Sequence, residues 1–263
     1  MSPEAEKAAE EKRSVQAFWN AAPCGTPDVL SEPEHRKYQE LERIRDDREP
    51  FIHTFAEFAA QRGKKILEVG CGAGTDLLKF ARAGANCTAV DLTDAGIATT
   101  SSRLLKEGLT ADLRKADAEA LPFEDGAFDF VYSWGVIHHT PNTPKAAQEI
   151  LRVLRPGGKF CVMIYNRHSL LAVQAWLYFA AIRGNLGRSL ADVLSSHVES
   201  PGTKAYTVEE ARALFGGAID VRIDTLVTPY DMRVGRRAFL PSWTHKLVPN
   251  RLGWFHVVRG VKP

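Results

Sequence analysis

From residue 63 onward, short apolar runs alternate with segments of helical periodicity. Ile66-Leu67-Glu68-Val69 is one such run, and Leu77, Leu78, Phe80 and Ala81 follow at helical spacing after three glycines. This predicts a strand over Lys65–Val69, a tight turn, and a helix from Thr75 to about Ala83. The same reading gives a strand over Cys87–Asp91, a helix over Asp94–Glu107 and a short strand around Asp112–Ala116. Next come a strand over Phe128–Ser133, a helix over Thr143–Leu154, a turn at Arg155-Pro156-Gly157-Gly158 and a strand over Lys159–Tyr165. Such alternation predicts an α/β fold, a mostly parallel sheet with helices on both faces.

The flanks are patterned differently. Residues 1–62 read as helical with breaks: Glu4–Phe18, a loop at Pro23-Cys24-Gly25-Thr26-Pro27, and a charged helix around Glu34–Asp47. Pro50 interrupts, and a new helix from Phe51 places Phe51, Phe55, Phe58 and Ala59 on one stripe until Gly63 ends it. After Tyr165 the 13-residue apolar run Leu170–Ile182 is a buried or lid helix, too short for the roughly 20 residues a bilayer span needs. A second helix is expected at Leu190–His197, and Thr207 with Glu210 forms a capping box. Strands at Asp220–Val227 and Trp254–Val261 suggest an antiparallel edge. The expected organisation is a helical cover over 1–62 and one α/β domain over 63–263, with a helical insertion at 166–204.

A chain of 263 residues, 44% hydrophobic and 25% charged, supports one large core. The net charge of +2 does not by itself point to nucleic acid. It is uneven, however: between Pro229 and Pro263, Asp231 stands against Arg233, Arg236, Arg237, Lys246, Arg251, Arg259 and Lys262. That is a solvated face or a site for an anionic substrate or surface. The four cysteines (Cys24, Cys71, Cys87, Cys161) show no paired spacing, and the charged N-terminus shows no signal peptide, so a cytoplasmic location is expected. The acceptor-like triplet Asn86-Cys87-Thr88 falls in a predicted strand and is discounted.

The glycine turn reads Gly70-x-Gly72-x-Gly74, with Thr75 where a dinucleotide fingerprint wants its third glycine. Glu68 lies at the end of the first predicted strand, Asp91 ends the second, and Asp117 follows the third. One acid at a strand end is commonly a helix cap. Three at successive strand ends converge on the crevice where such sheets hold ligands, with Asp91 placed for ribose hydroxyls.

Five segments together resemble the class I S-adenosylmethionine-dependent methyltransferases: Ile66–Asp76, Val90-Asp91, Asp117–Phe123, Phe128–His139 and Glu149–Lys159. The resemblance is closest to small-molecule enzymes with a type-11-like domain, and covers about residues 50–165 in detail. It implies a Rossmann-like seven-stranded sheet and S-adenosylmethionine as cofactor. Glu68, Gly70, Cys71, Gly72, Gly74 and Asp76 would surround its methionine part, with Ser133, Trp134 and His138 beside them. Asp91 and Leu92 would meet the ribose, and Asp117, Ala118 and Glu119 the adenine. The N-terminal pattern is similar to a subset whose leading helices cover the cofactor, with Tyr38 as a contact.

A sulfonium donor leaves as a neutral thioether, so holding the acceptor in line in a dry pocket supplies much of the rate. A base is needed only if the acceptor loses a proton. His139, Tyr165 and His168 are the candidates for a base or orienting group. No metal site is expected, because adjacent His138 and His139 would point to opposite sides of a strand and no third ligand is apparent. The expected reaction is methyl transfer to a small, apolar or aromatic acceptor, without nucleic acid or a transmembrane segment. The competing readings are a nicotinamide-dependent oxidoreductase, a nucleic-acid methyltransferase using the basic C-terminal stretch, and a cofactor-binding protein without turnover.

Overall fold

The computed structural model describes residues 2–24, 26–29, 31, 34–234, 238–240, 244 and 247–263. The alternating pattern becomes β1 (Lys65–Val69), α4 (Thr75–Arg82), β2 (Asn86–Asp91), α5 (Asp94–Lys106), β3 (Asp112–Lys115), β4 (Phe128–Trp134), α6 (Thr143–Val153) and β5 (Leu154–Tyr165). Ahead of them lie α1 (Pro3–Ala21), α2 (Glu34–Arg48) and α3 (Ile52–Ala56). After them come α7 (Leu170–Trp176), α8 (Leu190–His197), α9 (Val208–Leu214), β6 (Ile219–Leu226), the two-residue strands β7 (Arg233–Val234) and β8 (Ala238–Phe239), and β9 (Phe255–Val261).

Seven strands form one sheet in the order β3-β2-β1-β4-β5-β9-β6. Strands β1 to β5 pair in parallel, and β9 pairs antiparallel with both β5 and β6. The antiparallel strand is therefore not the edge: β9 returns into the gap between β5 and β6. Period-two alternation then sorts the core. Ile66, Phe130, Tyr132, Cys161 and Met163 face one layer with Phe58, Phe80 and Leu104, while Leu67, Val131, Phe160 and Val162 face another with Ile150, Ala211 and Phe215. Burial on both faces explains why the parallel strands read as unbroken apolar runs.

Four local expectations change. Glu57 adopts a left-handed conformation (φ 49°), which ends α3 and starts a 3-10 turn over Phe58–Gln61. Phe58 stays buried, but Ala59 turns outward. The turn predicted at 155–158 is the first part of β5, which shifts register against β4 between Phe128 and Phe130. The apolar run 170–182 is two pieces, α7 and a π-helical turn over Leu177–Ala181. Finally, the basic stretch is partly internal: Arg259 pairs with Asp224 at 2.7 Å, and Lys262 donates to the Arg152 and Leu154 carbonyls. Gly25, Arg236, Arg237 and Lys246 lie outside the described residues.

Among the described residues no helix is long and apolar enough to cross a membrane. None of the four cysteines is in a disulfide.

Candidate active site

A chamber of about 1130 Å³ opens at the carboxyl ends of β1, β2, β4 and β5. Its floor is the glycine loop. Gly70 has φ 82°, and a Cβ there would lie 2.3 Å from Val136 Cγ2, so no side chain fits. The Gly70 and Cys71 amides donate to the Val90 carbonyl at 2.8 and 3.2 Å, tying the loop to β2. Gly72 has φ 50° and nothing within 4 Å of a would-be Cβ, which leaves its backbone open to the chamber. Gly74 caps α4 and is backed by Thr100 rather than by the cavity.

Asp91 serves the loop before it serves a ligand. Its Oδ2 accepts from the Gly72 amide at 2.8 Å, and its Oδ1 accepts from the Thr93 amide and hydroxyl at 2.9 and 2.6 Å. A carboxylate offers about four acceptor positions, so about one remains for the chamber. Asp117 accepts from the Glu119 amide at 2.9 Å, and Lys12 of α1 spans Asp117 and Glu119 at 2.5 and 2.7 Å.

Deeper in, Arg45 of α2 bridges Glu49 and Asp76, each at 2.9 Å. Asp76 also accepts from the Tyr132 hydroxyl, and Glu49 from the Trp134 indole. Burial would raise Asp76, but Arg45 outweighs it and holds the carboxyl below its usual range. At Glu68 the balance reverses: burial, with Asp76 and Asp91 near, outweighs Arg45 and holds the carboxyl well above that range. Glu68 Oε2 and Asp76 Oδ1 are buried without a hydrogen bond.

The opposite wall is aromatic. Tyr165 stacks on Trp254 with centroids 4.1 Å apart, and Trp134, Phe255 and Tyr230 continue the surface. One polar cluster interrupts it. The Tyr165 hydroxyl donates to Glu199 Oε2 at 2.6 Å, and His139 Nε2 stands 3.4 Å from the same oxygen. The Thr203 hydroxyl gives its proton to the Ser200 carbonyl, so at its 3.0 Å contact with His139 Nδ1 it accepts. The Ser200 hydroxyl also stands 2.8 Å from Nδ1, so this nitrogen can either donate to Thr203 or accept from Ser200, and Nε2 faces the Glu199 carboxylate. Burial would raise Glu199, but His139 and Tyr165 hold it below its ordinary range. Its backbone is left-handed at φ 56°, a conformation that costs a non-glycine residue on the order of 1–3 kcal/mol.

Of the residues singled out in the sequence, Glu68, Gly70, Cys71, Gly72, Asp76, Asp91, Leu92, Asp117, Ala118, Trp134, His139 and Tyr165 line the chamber. Six do not. Tyr38 packs beneath Arg103 and Lys106, each 5.1 Å from its ring. Gly74 is behind the loop, and Glu119 is engaged by Lys12 and the Asn142 amide. Ser133 points across the sheet to the Val69 carbonyl. His138 is fully buried against Tyr165 at 3.9 Å, and burial keeps its pKa well below the ordinary value. His168 is solvent-exposed beyond the end of β5. The two histidines lie in a 3-10 turn (Ile137–His139) rather than a strand, so with Glu199 they present ligand atoms within 4.8 Å of one another. That grouping is a departure from the expected strand geometry.

Sequence reasoning missed Lys12, Trp19, Arg45, Glu49, Glu199 and Tyr230, all of which line the chamber. Only Arg45 and Glu49 carried a signal, their i,i+4 spacing in a charged helix.

Residues 67–162 match the methyltransferase domain family. Over 110 residues the chain is 43% identical to a protein named probable phthiotriol/phenolphthiotriol dimycocerosates methyltransferase 2 of Mycobacterium ulcerans, covering 41% of this chain and 42% of that protein. Over 118 residues it is 31% identical to the ubiquinone biosynthesis O-methyltransferase of Pseudomonas aeruginosa, covering 44% and 51%. The chain thus spans about half or less of the length of these relatives. Among solved structures it is similar in fold to an S-adenosylmethionine-dependent methyltransferase from Thermotoga maritima, described as a possible histamine N-methyltransferase. The TM-score is 0.53 at 19% identity, covering 86% of this chain and 99% of that one.

Proposed function

We propose, from a chain whose residues 67–162 match the methyltransferase domain family, that it methylates a small, largely apolar acceptor with S-adenosylmethionine as the donor. One observation carries this reading: a single chamber joins a carboxylate-lined floor to an aromatic wall. Its 1130 Å³ exceeds the roughly 300–1,000 Å³ of a one-ligand pocket and leaves room for two.

The floor fits the cofactor. Glu68 Oε2 and Asp76 Oδ1, buried and unpartnered, suit a donor group such as an ammonium, and Gly72 offers a backbone that a ligand can approach. Asp91 would take ribose hydroxyls, and Asp117 with Ala118 the adenine edge. When bound, the cofactor supplies a sulfonium methyl whose leaving group is neutral. The chain's own part is to exclude water with α1 and α2, to orient the acceptor against Trp134, Tyr165 and Tyr230, and to accept a proton at the His139–Glu199 pair if the acceptor sheds one. The names of the phthiotriol/phenolphthiotriol dimycocerosates and ubiquinone biosynthesis relatives agree with an apolar acceptor. Calorimetric titration with S-adenosylmethionine tests the reading: wild type binds, and Asp91→Ala binds about tenfold to a hundredfold more weakly. No heat from the wild type, or an unchanged Asp91→Ala, overturns it.

A further inference from the structure

The hairpin formed by α7, the π-helical turn and α8 leaves an apolar rim uncovered. Val173, Leu177, Tyr178, Ile182 and Leu186 are 48%, 45%, 53%, 77% and 69% exposed. Solvated monomers rarely keep such residues contiguous without a use. Leu177, Tyr178 and Ile182 also line the chamber, so the rim is its mouth. Trp176 Nε1 donates to the Arg188 carbonyl at 2.8 Å and Phe179 packs on His197 at 4.3 Å, which fixes the rim in place. The π turn, closed by the Ile182 amide on the Leu177 carbonyl, widens the helix where Tyr178 and Phe179 emerge.

Charge decides what covers it. Across α7, the π turn and the loop after it, Leu170 to Ser189, there is no acid and the formal charges are Arg183 and Arg188; the hairpin's first acid, Asp192, lies in the first turn of α8. Arg183 lies over the Tyr178 and Phe179 rings at 5.5 and 5.3 Å, with its stem along apolar surface. Apolar side chains interleaved with arginines are the composition of a surface that seats in a lipid interface. A second copy across a two-fold axis would instead bring the same arginines toward each other.

We infer that this rim docks on a bilayer carrying anionic headgroups, and that the acceptor enters the chamber from the lipid phase. The acceptor part rests on the methyltransferase reading; the docking part does not.

Co-sedimentation with vesicles of phosphatidylcholine plus phosphatidylglycerol, and of phosphatidylcholine alone, tests it. Wild type binds the mixed vesicles and binds the neutral ones roughly tenfold or more weakly. Val173→Glu/Leu186→Glu, at positions outside the chamber lining, loses mixed-vesicle binding, and Arg183→Gln/Arg188→Gln falls to the neutral-vesicle level. Both variants still titrate with S-adenosylmethionine, which shows that they fold. Failure of wild type to sediment, indifference to either variant, or a dimer in ultracentrifugation that Val173→Glu/Leu186→Glu disperses overturns the docking surface. Vesicle binding without cofactor binding instead overturns the methyltransferase reading and leaves the surface standing.

Discussion

The floor of the chamber is built from neighbours in sequence: Glu68, the glycine loop, Asp76, Asp91 and Thr93 all fall within 26 residues. The facing wall gathers Trp19, Trp134, Tyr165, Glu199, Tyr230 and Phe255 from separate segments of the chain. The floor is also held by backbone bonds, such as Gly70 and Cys71 on the Val90 carbonyl. The wall is held by side chains, such as Asp231, whose Oδ2 accepts from Thr228 and from the Trp254 amide. A backbone-built floor tolerates little change of geometry. A side-chain wall is free to vary with the acceptor it meets.

The sharpest break in that contrast is at Gly70. Gly70→Ala combines a left-handed backbone with a Cβ driven into Val136, and is expected to destabilise the fold by about 2–5 kcal/mol in chemical denaturation. If it costs less than the wall substitutions below, the floor is not the rigid half.

Glu199→Gln separates the halves functionally. Cofactor affinity should hold within about twofold while turnover, read as release of demethylated cofactor, drops about tenfold to a hundredfold. Loss of both together would show that Glu199 shapes the floor as well.

Asp231 tests the wall's scaffold through pH. Burial pushes its carboxyl up to about 6 from 3.8. Between those values the unfolded chain has released its proton and the folded chain keeps it, so stability falls as pH rises through the window. His256, pushed down to about 4 by burial, works in the opposite sense, since its folded form resists a proton that the unfolded chain accepts below about 6.5. Comparing wild type with Asp231→Asn at each pH isolates the carboxyl. The variant should gain about 2–3 kcal/mol at about pH 7 relative to its difference at about pH 4. A pH-independent difference would place Asp231 in water.

The smallest effect is expected at Lys12, which holds Asp117 and Glu119 from the cover helix. Removing a competitor for Asp117 raises the fraction of open sites. Lys12→Ala should therefore tighten S-adenosylmethionine about two- to fivefold by calorimetry. Weaker binding would mean that the lysine helps to close the site over the cofactor.

The legible parts of the molecule share a cause. The strands, α4 to α6 and the positions of Asp91 and Asp117 follow from periodicity and turn chemistry within short windows, and the structure keeps them. Pattern and structure part where a local signal meets a distant partner. Tyr38 carried an aromatic ring and no sign of Arg103; Ser133 carried a hydroxyl and no sign of the Val69 carbonyl. A strand's alternation would set His138 and His139 on opposite faces, but the chain turns at Gly135 before it reaches them.

What the sequence alone determined is therefore the α/β alternation, the glycine turn and the acids at successive strand ends, because hydrogen-bond geometry and side-chain period act over a few residues. Tertiary structure decided where β9 inserts, which histidine meets the chamber, and that Glu199 joins His139 across 60 residues of chain. Those choices depend on which buried polar groups and aromatic faces find partners in three dimensions, and spacing along the chain carries no record of that.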